Sequence, residues 1–119
     1  DYEKVDIANF ISKFNGINNV RFRQCDVESE DFIQGFDESF DVVFCLALIG
    51  HLKDQLRFLK KVYLVCSNIL FIEGNANTAN NDTVILLQNA GFNQVEYIGL
   101  SNDELNENNN NRPLFICYK

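Results

Sequence analysis

Ile7, Phe10, Ile11 and Phe14 recur at the spacing that places side chains on one stripe of a helix, and the stripe stops at Asn15-Gly16, where glycine suits a left-handed cap. The period then changes. From Val20 to Cys25 apolar and polar residues alternate, which predicts a strand with one face thinly covered, as at a sheet edge, with Arg21 and Arg23 pointing outward. After a surface loop at Phe36–Phe40, Asp41 to Ala47 is a continuous apolar run with β-branched residues at its start, the pattern of a parallel strand buried on both faces. Asp54 is placed to cap the helix that follows, with Leu56, Leu59, Tyr63 and Cys66 along its inner face. Ile69 to Glu73 predicts a further buried strand, closed by Gly74-Asn75. The polar stretch Asn77–Asp82 leads into a third helix, striped by Val84, Leu87 and Ala90 and stopped at Gly91. The last strands are expected at Val95–Leu100 and at Leu114–Tyr118, the latter preceded by Pro113, which a strand tolerates at its first position. Asn106–Asn111, between them, reads as a low-complexity mobile tip.

Alternation of helices and strands in this order predicts an α/β fold with a mainly parallel sheet. The final two strands are joined without a helix, so they should pair antiparallel.

The length of 119 residues suits one domain spanning residues 1–119 and is enough to bury a core. A net charge of −7, from 10 Lys plus Arg against 17 Asp plus Glu, argues against a grip on nucleic acid, which needs clustered cations. The longest apolar runs are broken by Gly50, His51 and Asn68 before they reach the roughly 18 residues of a membrane span. The opening Asp-Tyr-Glu-Lys-Val-Asp is not a signal peptide, which makes the cytoplasm the expected compartment. Cys25, Cys45, Cys66 and Cys117 lie far apart, without the Cys-x-x-Cys spacing of a zinc or redox site, and are expected as buried thiols.

Ligands of open parallel sheets collect at the carboxyl ends of the strands, where the loops diverge. Four segments are expected there: Cys25-Asp26-Val27, Cys45–His51, Glu73-Gly74-Asn75 and Leu100-Ser101-Asn102. Asp26 could accept a hydrogen bond from an amino group such as that of adenine, with Val27 offering an N–H and an apolar contact; it could equally cap its own turn. His51 is the only imidazole, placed to act as a base or to orient a substrate, or else to serve packing. With no second histidine, no metal site is expected. Glu73 and Asn75 end an interior strand, where a charge must face a crevice or reach a partner. The six glycines are scattered, so there is no phosphate-binding loop, and no Gly-x-Ser-x-Gly elbow occurs.

Taken in order, Asn18–Val27, Phe40–Leu52 with its Phe-Asp-Val-Val start and His-Leu end, Asn68–Glu73 and Ala90-Gly-Phe92 resemble successive signatures of the class I S-adenosylmethionine-dependent methyltransferases. The resemblance implies a Rossmann-like sheet, S-adenosylmethionine as cofactor, and methyl transfer to a small-molecule acceptor. It implies that Asp26 and Val27 hold adenine, that Cys45, Leu46 and Ala47 contact the cofactor through backbone and apolar surface, and that His51 is the candidate base. The Arg112-Pro-Leu-Phe segment resembles the antiparallel last strand of several members acting on small molecules.

The likeness covers only the later part of the family's domain. The first strand with its Gly-rich loop and the second with its ribose-binding acid are not found; Asp1 stands near where that acid would be. The chain is therefore expected to be partial, lacking two strands between Val20–Cys25 and Asp41–Ala47. In their absence the flanking strands would pair directly or another chain would fill the space; otherwise their exposed edges would invite self-association. The alternative to an enzyme is a non-catalytic binding or scaffold domain that keeps the fold without holding cofactor. A nicotinamide-binding α/β domain is a third reading, weakened by the missing glycine fingerprint.

Overall fold

The first apolar stripe forms the helix its spacing predicts. α1 spans Tyr2–Phe14, and Gly16 takes the left-handed conformation (φ 69°) just beyond it, while Ser12 Oγ donates to the carbonyl of Ile17 at 2.8 Å and secures the exit. A computed structural model of the protein describes residues 2–36, 38–102 and 111–119. The chain divides into two compact units, Asp1–Phe32 and Ile33–Lys119. Asp1 and most of the Asn106–Asn111 tip lie outside the described residues.

In the first unit the strand expected at Val20–Cys25 is not formed. The segment is exposed and without regular structure, and among the described residues no strand pairs with it. Alternation supplies a face that could be buried, but a strand exists only when a neighbour takes up its backbone N–H and C=O groups. Cys25, expected buried, is exposed with it.

The second unit opens near the end of a 3₁₀ segment, Glu30–Gly35, and holds β1 (Phe40–Cys45), a 3₁₀ turn at Ile49–His51, α2 (Gln55–Val65), β2 (Cys66–Glu73), α3 (Asn80–Ala90), β3 (Gln94–Leu100) and β4 (Pro113–Tyr118). The sheet order is β1-β2-β4-β3. β1 and β2 are parallel neighbours joined through α2, while β4 lies antiparallel between β2 and β3. Three strands thus run one way and the last runs against them. This is the mainly parallel sheet with a C-terminal antiparallel strand that the element pattern predicts, and the Rossmann-like arrangement that the resemblance implies.

Register explains the core. Cys45, Ile72 and Phe115 stand side by side on one face, as do Val43, Leu70 and Cys117. Phe58, Leu59 and Val62 of α2 and Leu87 and Ala90 of α3 join most of these residues in the buried set. Side chains as large as Phe92 and Phe115, both fully buried, each stabilise the fold by about 1.5–3 kcal/mol. Helix α2 therefore buries Phe58, Leu59 and Val62, while the expected Leu56 and Tyr63 are only half-buried. Cys66 is not on the helix at all, because β2 begins there with no intervening loop. Lys119 Nζ secures this junction, donating to the carbonyls of Tyr63 (2.7 Å) and Cys66 (2.9 Å) and lying 4.3 Å from the centre of the Tyr63 ring.

The opposite face carries Phe44, Phe71 and Ile116 in one row. The Phe44 and Phe71 rings stack at 5.1 Å, yet Phe44 is 65% exposed. β1 was expected to be buried on both faces; it is an edge strand, and Phe40, Val42 and Phe44 are exposed. Its apolar run satisfies one face of the sheet only.

Candidate functional site

β1 and β2 run parallel, so their carboxyl ends lie at the same edge of the sheet, and the chain leaves both in irregular backbone. The loops that follow, with Arg112 just ahead of β4, line a hollow of about 100 Å³ formed by Ala47, Leu48, Gly50, His51, Gly74, Asn75 and Arg112. Close packing shapes it. A Cβ on Gly50 would stand 3.1 Å from Asn75 Nδ2, and one on Gly74 would stand 2.9 Å from Pro113 Cγ, so neither position accepts a side chain without movement. The Gly74 N–H donates to the Pro113 carbonyl at 2.7 Å, which ties the end of β2 to the start of β4.

At the base of the loop is Glu73, the last residue of β2 and buried at 9% exposure. Its Oε2 accepts a hydrogen bond from the Ala47 N–H at 2.7 Å and lies 3.4 Å from Arg112 Nη1. Of the two roles open to a carboxylate at this strand end, it takes the one of reaching a partner. Ala47 has a positive φ of 53°, which costs an L residue about 1–2 kcal/mol. A short charge-assisted hydrogen bond offsets that cost. Burial, and then the charge of Glu73, push the Cys45 thiol up to about 12, so it stays protonated at neutral pH.

The residues singled out in the sequence divide between the two units. Ala47 and His51 line the hollow, His51 from the end of the 3₁₀ turn, where its N–H donates to the Leu48 carbonyl at 3.0 Å. Cys45 is turned into the core and Leu46 is exposed, and neither lines the hollow. Asp26 and Val27 belong to the first unit, where Asp26 Oδ1 accepts the Glu28 N–H at 2.9 Å and closes a turn. Asn75, marked in the sequence as a polar residue at the end of an interior strand, does line the hollow, and so does Arg112, which the sequence marks only as part of the segment resembling a last strand. Among the described residues no group of three or more His, Cys, Asp or Glu is placed to hold a metal ion. No helix among them is long and apolar enough to cross a membrane.

A family model described as a methyltransferase domain matches residues 1–68, and the chain belongs to that family. Solved structures agree with the assignment. The N-terminal domain of EvdMO1 in the presence of SAH and D-fucose superposes with a TM-score of 0.77 at 18% identity, over 99% of this chain and 63% of that one. EvdMO1 itself gives 0.75 at 22% identity, over 99% of this chain and 30% of that one. Magnesium protoporphyrin IX methyltransferase (ChlM) from Synechocystis PCC 6803 with bound SAM gives 0.68 at 13% identity, over 94% and 52%. The chain thus spans less than two thirds of each of these proteins, and what they share with it is the Rossmann-like fold of S-adenosylmethionine-dependent methyltransferases. No curated protein matches the chain in sequence.

Proposed function

We propose that the protein transfers a methyl group from S-adenosylmethionine to a small-molecule acceptor. The observation that carries this reading is the hollow at the carboxyl ends of β1 and β2, lined by the loop from Ala47 to His51 in a chain of the methyltransferase family. At about 100 Å³ it is smaller than the roughly 300–1,000 Å³ of complete small-molecule sites, so it suits one end of such a ligand. When bound, S-adenosylmethionine supplies an electrophilic methyl group.

The chain's own part is then orientation and proton handling. Ala47 offers its carbonyl and apolar surface, since its N–H is committed to Glu73. Cys45 and Leu46 support that backbone from the strand end. His51, on the lining of the hollow, is assigned the acceptor, since an imidazole can hold or take a proton from an oxygen, nitrogen or carbon acid. Asp26 and Val27 are assigned to adenine by family resemblance. Four free thiols favour a reducing compartment, which supports a cytoplasmic setting.

The test is calorimetry on the 119-residue chain with S-adenosylhomocysteine. Binding heat is expected, weakened by Asp26→Ala more than by the control Asp31→Ala. Equal affinity in the two variants removes Asp26 from the site, and unchanged turnover after His51→Ala leaves that residue structural. Absence of heat from the unsubstituted chain replaces the enzyme reading with that of a methyltransferase-like binding or scaffold domain.

A further inference from the structure

We infer that Glu73 is a positioning residue: anchored by Arg112, its carboxylate holds the backbone of Ala47 in the left-handed turn from which Leu48–His51 pass along the hollow. The inference rests on the methyl-transfer reading for the use to which the hollow is put, and on geometry alone for the role of Glu73.

Three observations converge. Ala47 is a non-glycine residue at φ 53°, a conformation that persists only where its surroundings over-determine it. Its N–H meets Glu73 Oε2 at 2.7 Å, so the conformation is fixed by a carboxylate from the adjacent strand. The same oxygen lies 3.4 Å from Arg112 Nη1, and the Arg112 backbone is itself held, its N–H donating to Ser101 Oγ at 3.2 Å. An acid at the end of an interior strand, nine-tenths buried, would be costly without such partners. An ion pair serving stability alone would need Arg112 but not the amide of a loop on the neighbouring strand. What Glu73 adds is a chain of contacts from the start of β4, through the end of β2, to the first residues of the loop that carries His51.

The experiment is an NMR measurement on the ¹⁵N- and ¹³C-labelled full chain, read at the Ala47 amide, with S-adenosylhomocysteine calorimetry beside it. In Glu73→Ala the Ala47 amide is expected to exchange with solvent about tenfold faster, and its carbon shifts to leave the left-handed range, while the Leu59 and Leu70 amides keep their protection. Glu73→Gln is nearly isosteric and retains an acceptor oxygen, so its effect is smaller: about threefold faster exchange and an amide proton moved to higher field. Affinity for S-adenosylhomocysteine is expected to fall about tenfold in Glu73→Ala and to be largely restored in Glu73→Gln.

Unchanged Ala47 signals in both variants, or in Glu73→Gln alone where Glu73→Ala does not fold, overturn the inference. So does equal affinity for S-adenosylhomocysteine in a Glu73→Ala chain whose Ala47 amide has been released. If the unsubstituted chain takes up no S-adenosylhomocysteine, the methyl-transfer reading fails, and the Ala47 signals still decide the role of Glu73.

Discussion

Helices α1 and α2 begin from the same kind of sequence and end in different surroundings. Both carry apolar residues at helical spacing. On α2 the face bearing Phe58, Leu59 and Val62 is the centre of the core, with Leu59 completely covered; on α1 the stripe is exposed, with Phe14 at 80% and Ile7, Phe10 and Ile11 beside it. Periodicity reports that a face is built to be covered. It does not report what covers it. The two surfaces of β1 repeat the lesson on a smaller scale, Cys45 being buried on one and Phe44 exposed on the other.

Truncating one residue on each helix separates the two surfaces most strongly. Leu59→Ala is expected to cost about 2–5 kcal/mol in chemical denaturation, from lost burial and the cavity left behind. Phe14→Ala should stay within about 0.5 kcal/mol, as exposed substitutions do. Equal losses would mean that the α1 stripe is covered in solution.

Titration of the thiols gives, per pH unit, the next largest effect. Burial pushes Cys117 up to about 12, and burial with the charge of Glu73 does the same for Cys45, from an ordinary value of 9.0. In the unfolded chain these thiols ionise from about pH 9, while the folded chain keeps them protonated. Stability is therefore intact below pH 9 and falls as pH rises from 9 towards 12, by about 1.4 kcal/mol per pH unit for each thiol. Denaturation midpoints between pH 8 and about 11 measure the slope, and Cys117→Ala should reduce it. A thiol reagent at neutral pH should modify Cys25 in the native protein and reach the other three only on unfolding.

The smallest effects lie at the helix caps. Asp54 accepts the Arg57 N–H at 2.9 Å, whereas Ala79, at the corresponding position of α3, has no side chain to offer. Asp54→Ala should lower stability by about 1 kcal/mol and Ala79→Ser should raise it by about 0.5 kcal/mol, both read from thermal melts. A neutral Ala79→Ser would indicate that the first turn of α3 is satisfied by other groups.

Much of the second unit was legible in its sequence because local signals and tertiary demand agree there. Asp54 caps α2, Gly91 ends α3 at φ 121°, and Pro113 opens β4, each where its chemistry places it. Cys66 fits the helical spacing yet begins β2, because a three-and-four period cannot reveal a change of backbone state made without a turn. Val20–Cys25 forms no strand for a different reason: its alternation is real, but pairing depends on a neighbour that local pattern does not contain. At the site, His51 and Ala47 could be found from their place beyond an apolar strand. Glu73 could be marked as a buried acid, but its link to the Ala47 amide joins positions 26 residues apart and only the folded geometry reveals it.

The placement of β4 sets the order in which the sheet can be assembled. β2 and β3 are not neighbours; each bonds to the strand that follows both of them in the chain. A nascent polypeptide that has emerged only as far as Leu100 therefore has β1 and β2 able to join while β3 still lacks the strand it bonds to in the fold. Closure waits for Pro113–Tyr118 to leave the ribosome, and this late, non-local zippering is the step expected to limit the folding rate.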